Sequence, residues 1–191
     1  MIEPVPRRLP NTKHWYRVAD EKWDDPLDPG FAQRFGGRWN PPDSYPTLYL
    51  NEDVDTARAQ IQRMLDGSPV RPEDLDPPYV LVTATLPSRQ VVADAVTDVG
   101  LESLDLPATY PVDNDGNTIP HTICQPIGST VKDENLRGVH SRSAATPDGT
   151  GRELAWFPAR TSSKATPLGD PLPFSSWWYG NSSKVKGLDI T

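Results

Sequence analysis

The chain has 191 residues, 36% of them hydrophobic and 24% charged, which suits one folded domain with a real core and excludes wholesale disorder. Its formal net charge is −7 and its longest basic cluster is Arg7-Arg8, which excludes the dense positive surface that displaces counterions from nucleic acid and leaves room for a basic protein partner. A single cysteine, Cys124, and three scattered histidines, His14, His121 and His140, exclude an internal disulfide and offer no metal-ligand spacing.

No apolar run approaches the roughly 20 residues that a membrane helix needs. The N-terminal stretch MIEPVPRRLP lacks the apolar segment of a signal peptide, so cytoplasmic residence without membrane contact is expected. The 22 prolines cannot donate backbone hydrogen bonds, which predicts long irregular connections between short elements.

In chain order, residues 1–12 hold three prolines and read as an extended arm. His14 to Val18 reads as a first strand, rich in aromatic and β-branched residues. Residues 20–35, with two Asp-Pro pairs and Pro29-Gly30, read as a loop. Gly36-Gly37 leads into Arg38-Trp39-Asn40-Pro41-Pro42, a turn-rich piece, and Thr47 to Leu50 is a short strand. Asp53 to Leu65 is the clearest helix. Asn51 or Asp53 is placed to cap it, Gly67 ends it, and Val54, Ala57, Ile61, Met64 and Leu65 form its apolar face. Gln60 lies at the edge of that face. Tyr79 to Leu86 is the strongest strand, with a weaker one at Val91 to Val96. Residues 101–120 read as a long loop or flap, and His121 to Val131 as a short helix. Leu136 to His140 and Glu153 to Phe157 complete the strands.

Several polar residues fall where short strands meet turns: Arg17, Arg38, Tyr49 and Ser143, with Gln60 in the helix between. Such junctions commonly hold active-site groups, but their spacing alone identifies no reaction. The stretches Tyr16-Arg17, then Phe35-Gly36-Gly37-Arg38-Trp39-Asn40-Pro41, then Leu48-Tyr49-Leu50 and the helix through Gln60 resemble the N-terminal half of the RES domain. Gly138-Val139-His140-Ser141-Arg142-Ser143-Ala144 and Leu154-Ala155-Trp156-Phe157 resemble its C-terminal half.

The resemblance implies a mixed α/β (α+β) fold of the ADP-ribosyltransferase-like RES type. Residues 13–160 would form that domain, residues 1–12 an N-terminal arm, and residues 161–191 a tail packed on the domain. It also implies a toxin of a toxin–antitoxin pair that binds NAD and cleaves its nicotinamide–ribose bond by phosphorolysis or hydrolysis, with an Xre-like antitoxin as partner. NAD would be substrate, not a resident cofactor. Arg38, Gln60 and Ser143 would occupy the catalytic positions, and Arg17, Arg38, Tyr49 and Ser143 would hold the dinucleotide.

The side chains suit that chemistry. Guanidinium groups grip phosphate oxygens in pairs, a tyrosine ring packs on a flat nicotinamide, and a serine hydroxyl orients an amide or ribose. The family glutamate falls on Gln60, eleven residues after Tyr49. Glutamine keeps the shape and loses the charge that would stabilise a ribosyl cation, which implies a slow enzyme, an inactive one, or one that recruits another carboxylate. A catalytically dead binding or regulatory protein and a protein ADP-ribosyltransferase are the alternative readings.

Plainer roles compete with these. Arg17 could pair with acids of the 20–28 loop, Tyr49 could be a core tyrosine, and Gln60 an ordinary helix-edge residue. Ser141 competes with Ser143. Cys124 reads as a small buried hydrophobe, and Trp177-Trp178-Tyr179 as packing the tail on the domain.

Overall fold

The structure is a computed structural model and describes residues 2–76, 78–160 and 163–180. Its strands are β1 (Pro6–Arg8), β2 (Trp15–Asp20), β3 (Leu48–Asn51), β4 (Tyr79–Thr85), β5 (Val91–Ala95), β6 (Gly138–Arg142), β7 (Arg152–Trp156) and β8 (Thr166–Pro167). They form one sheet in the order β1-β5-β6-β7-β3-β2-β4-β8. β5 and β6 run parallel, and the other neighbours pair antiparallel. The helices are α1 (Gly30–Phe35), α2 (Val54–Met64), α3 (Asp98–Ser103), α4 (His121–Asp133) and α5 (Phe174–Trp178).

Strand alternation sorts the side chains onto two faces. One face carries Trp15, Leu48, Leu50, Val82, Val92, Leu154 and Trp156, which pack together with Leu9, Leu27 and Ala165. On the other face, Ala93, Val139 and Ala155 stand level across β5, β6 and β7. They join Leu101 of α3 and Cys124, Ile127 and Val131 of α4 in one apolar cluster. Towards β2 and β4 the same face holds a second cluster, of Tyr16 and Leu81 with Val54, Ala57 and Ile61 of α2 and Trp177 of α5. The helices thus cover this face in two groups, and the seam between them lies over β3 and β7.

α2 forms where expected. The Asp53 side chain accepts a hydrogen bond from the Thr56 N–H at 2.7 Å and so caps the first turn. Met64, read as part of the apolar face, is instead 53% exposed. Residues 20–35 are not all loop, because α1 occupies their last turn and a half. It escapes a sequence reading because it is six residues long, has no side-chain cap, and buries Ala32 while Phe31 and Phe35 face solvent. α4 runs two residues further than expected and contains Pro126, whose lost backbone donor the helix tolerates. In the N-terminal arm, β1 pairs with β5 at the sheet edge, where a proline is permitted. Trp177 is fully buried, and Arg58 of α2 donates to the Trp177 and Gly180 carbonyls, so the chain at Trp177–Gly180 is tied to α2, while residues 161–162 and 181–191 of the expected tail lie outside the described residues.

Candidate functional site

The Gly36–Pro42 loop crosses the seam, and its shape is set by Tyr49 of β3. Tyr49 Oη accepts from the Trp39 N–H at 2.8 Å and donates to Asn40 Oδ1 at 2.8 Å. Residue 37 must be glycine, because a Cβ there would lie 2.5 Å from the Tyr49 hydroxyl. The loop packs equally closely on α4. A Cβ on Gly128 would meet the Trp39 carbonyl oxygen at 1.8 Å, and Gln125 Nε2 donates to the Gly37 carbonyl at 3.0 Å. Burial pushes the Tyr49 phenol far above its ordinary pKa, despite the Trp39 bond, so the hydroxyl stays neutral.

Arg38, half-buried, leaves this loop towards α4. Its Nη1 donates to the Ile119 carbonyl at 2.7 Å and lies 3.7 Å from Cys124 Sγ. Burial works against the charge, but Tyr110, Cys124 and Glu153 outweigh it and raise the pKa, so Arg38 stays cationic. Burial raises the Cys124 thiol, with Arg38 opposing, which leaves it a neutral packing group. His121, at the start of α4, is lowered by burial and by the same guanidinium.

Below Arg38 a polar rung crosses the sheet. The Cα of Glu153 on β7 faces that of Asn51 on β3 and that of Ser141 on β6. Just past β6, Ser143 Oγ donates to Glu153 Oε2 at 3.0 Å and accepts from the Ala145 N–H at 3.2 Å. Glu153 is hemmed in by protein yet keeps part of its surface exposed. Burial raises its pKa, while Arg38 and the Ser143 bond hold it back. Asn51 Nδ2 donates to Gln60 Oε1 at 2.9 Å, which fixes the exposed Gln60 at the rim of the same seam. Ser141 Oγ is fully buried without a hydrogen-bond partner among the described residues. Of the two serines, Ser143 is the one bonded into the rung.

Arg38, Tyr49, Gln60 and Ser143 therefore gather over one face of β3 and β7. Arg17 does not join them. It pairs with Val82 of β4, within the cluster on the opposite face, whereas Tyr16 pairs with Asn51. The Arg17 guanidinium stacks 5.6 Å from the Trp23 ring. Burial lowers its pKa to about 10, with Asp28 and Asp25 opposing. The expected two-arginine clamp on one dinucleotide is corrected on this ground: adjacent strand residues point to opposite faces, and Tyr16 is the β2 side chain on the side of the seam.

The sequence reading missed Glu153 and Asn51. The available signal was a carboxylate two positions before Ala155, opening the apolar run Leu154–Phe157, but nothing in the sequence says which strand neighbours it. Among the described residues, no group of three or more His, Cys, Asp or Glu is placed to hold a metal ion. No described helix is long and apolar enough to cross a membrane.

Known proteins share both sequence and fold with this chain. NAD(+) phosphorylase MbcT of Mycobacterium tuberculosis is 29% identical over 142 residues, which cover 72% of this chain and 69% of that protein. MbcT of Mycobacterium bovis matches to the same extent. In the crystal structure of the M. tuberculosis MbcT–MbcA toxin–antitoxin complex, a chain with 21% identity superposes at a TM-score of 0.69, covering 92% of this chain and 90% of that one. The sequence model of the RES domain matches residues 14–176, and by that match this chain belongs to the RES domain family.

Proposed function

We propose that this chain binds NAD and breaks its nicotinamide–ribose bond, passing the ADP-ribosyl group to phosphate or water. It would do so as a toxin held in check by an Xre-like antitoxin protein. The observation that carries this reading is the gathering of Arg38, Tyr49, Gln60 and Ser143 over one seam of a RES-family sheet. The similarity to proteins named NAD(+) phosphorylase, and to a toxin solved with its antitoxin, supports it. Its substrate would be the NAD of the cytoplasm.

In this reading Arg38 binds the pyrophosphate. Its Nη1 is fixed by the Ile119 carbonyl, which leaves the remainder of a five-donor group for phosphate oxygens. Tyr49 shapes the loop that presents Arg38, and its ring edge borders the nicotinamide. Ser143 orients the ribose. Gln60 holds a ribose hydroxyl at the rim by hydrogen bonding, without charge. When the C1′–N bond breaks, its electron pair passes to the pyridinium nitrogen, which becomes neutral. An oxygen of phosphate or water bonds to C1′, and the proton it sheds goes to solvent.

Purified protein incubated with NAD should release nicotinamide, and comparison with and without phosphate identifies the acceptor. NAD that binds and survives intact would reject cleavage in favour of a binding role. ADP-ribose appearing on a protein would reject phosphate and water as acceptors.

A further inference from the structure

We infer that Glu153 is the catalytic carboxylate of this chain, supplying from β7 the negative charge that Gln60 lacks in the same crevice. The inference rests on the NAD-cleaving reading above and adds a residue to it.

Three observations place Glu153 there. Its Cα faces that of Asn51, and Asn51 bonds Gln60 at 2.9 Å, so the two positions are linked through one side chain. Its carboxylate accepts from Ser143 at 3.0 Å. It also shares its surroundings with Arg38, Tyr49, Tyr110 and Cys124, whose titration its charge shifts. A hemmed-in carboxylate is costly unless paired or used, and a neutral residue would fit this strand position at lower cost. Glu153 remains partly exposed, as a group that meets substrate must.

In the reaction, positive charge builds on the ribose as nicotinamide departs with the bonding pair. An ionised Glu153 stabilises that charge and accepts a hydrogen bond from a ribose hydroxyl. It neither gains nor loses a proton overall. Burial raises its pKa, and Arg38 and the Ser143 hydrogen bond oppose that rise in favour of the ionised form.

The test compares nicotinamide release by the wild type, Glu153→Gln and the exchange variant Gln60→Glu/Glu153→Gln, with NAD binding followed by calorimetry and folding by thermal melting. Glu153→Gln is expected to lose about 10²–10³ in kcat while still folding and binding NAD, and the exchange variant to recover most of that loss. Wild-type kcat in Glu153→Gln would overturn the inference and leave the NAD reading standing. A wild type that releases no nicotinamide would overturn both before any variant is made. An exchange variant no faster than Glu153→Gln would overturn the claim that the charge has moved within one crevice.

Should Glu153→Gln not fold, the wild-type pH profile decides. Its kcat should fall on the acid side with an apparent pKa above the ordinary carboxylate range. Arg38, Tyr49, Tyr110 and Cys124 interact electrostatically with Glu153, and none changes charge there. His121 lies near Arg38, so His121→Gln must leave that limb in place. A flat acid limb, or one lost with His121, would overturn the inference.

Discussion

At the scale of single residues, the shape of the Arg38 loop depends on one hydroxyl. Tyr49 Oη joins the Trp39 N–H to the Asn40 side chain, and Arg38 directly precedes Trp39 in sequence. Tyr49→Phe leaves a backbone donor unmet and the loop free to turn. The expected outcome is a stability loss of about 1–3 kcal/mol in a denaturant titration, with a KM for NAD raised more than kcat is lowered. Arg38, Tyr49 and Ser143 could be singled out only through the stretches that resemble the RES domain, and the fold brings those three side chains to one face of the sheet. Arg17 was misjudged for a reason built into strands: a period of two sends neighbours to opposite faces. A sequence does not declare which face holds the crevice until the pairing of Tyr16 with Asn51 is known. Glu153 stayed hidden because, apart from β6 and Ser143 just before it, its surroundings come from β3 and the Gly36–Pro42 loop, far away along the chain.

At the scale of elements, α4 meets the Arg38 loop with no room to spare. Gly128→Ala sets a methyl group against the Trp39 carbonyl, where backbone and not a pliable side chain is in the way. The helix or the loop must move, and overpacking of this kind costs about 1–3 kcal/mol or more. The expected result is a lowered melting temperature together with lost NAD binding, since Arg38 moves with Trp39. Unchanged binding in a destabilised Gly128→Ala would show that the loop holds its shape without α4. The element pattern was legible where period and cap agreed, as in α2, with Asp53 at its start and Val54, Ala57 and Ile61 facing inward. It was illegible in α1 and α3, each six residues long, where one turn and a half gives no periodicity to read.

At the scale of the whole molecule, three distant segments are fastened on the other side of β3. Glu52 Oε2 bonds His140 Nε2 at 2.8 Å, and Lys13 Nζ reaches Glu52 Oε1 at 3.0 Å. The His140 bond, against the opposing effect of burial and with help from Lys13, lowers the Glu52 pKa to about 2. A carboxyl whose folded pKa is depressed contributes stability above its unfolded pKa and loses it as pH falls through the folded value. The contribution, about 2 kcal/mol at neutral pH after allowance for partial exposure, should therefore disappear between about pH 4.5 and about pH 2. Thermal melts across that window should show a steeper decline for the wild type than for Glu52→Gln. The mixed α/β class was legible through the stretches that resemble the RES domain. The single eight-stranded order was not, because β3 and β7 come together across a hundred residues of chain.

The seam itself has one further consequence. Its banks stand on separate apolar foundations, α3 and α4 on one and α2 and α5 on the other, so neither foundation alone dictates how wide the gap stands. A guest molecule that grips both banks at once would act as a splint, and its grip would be felt as stiffening at both ends of the sheet, far from anything it touches.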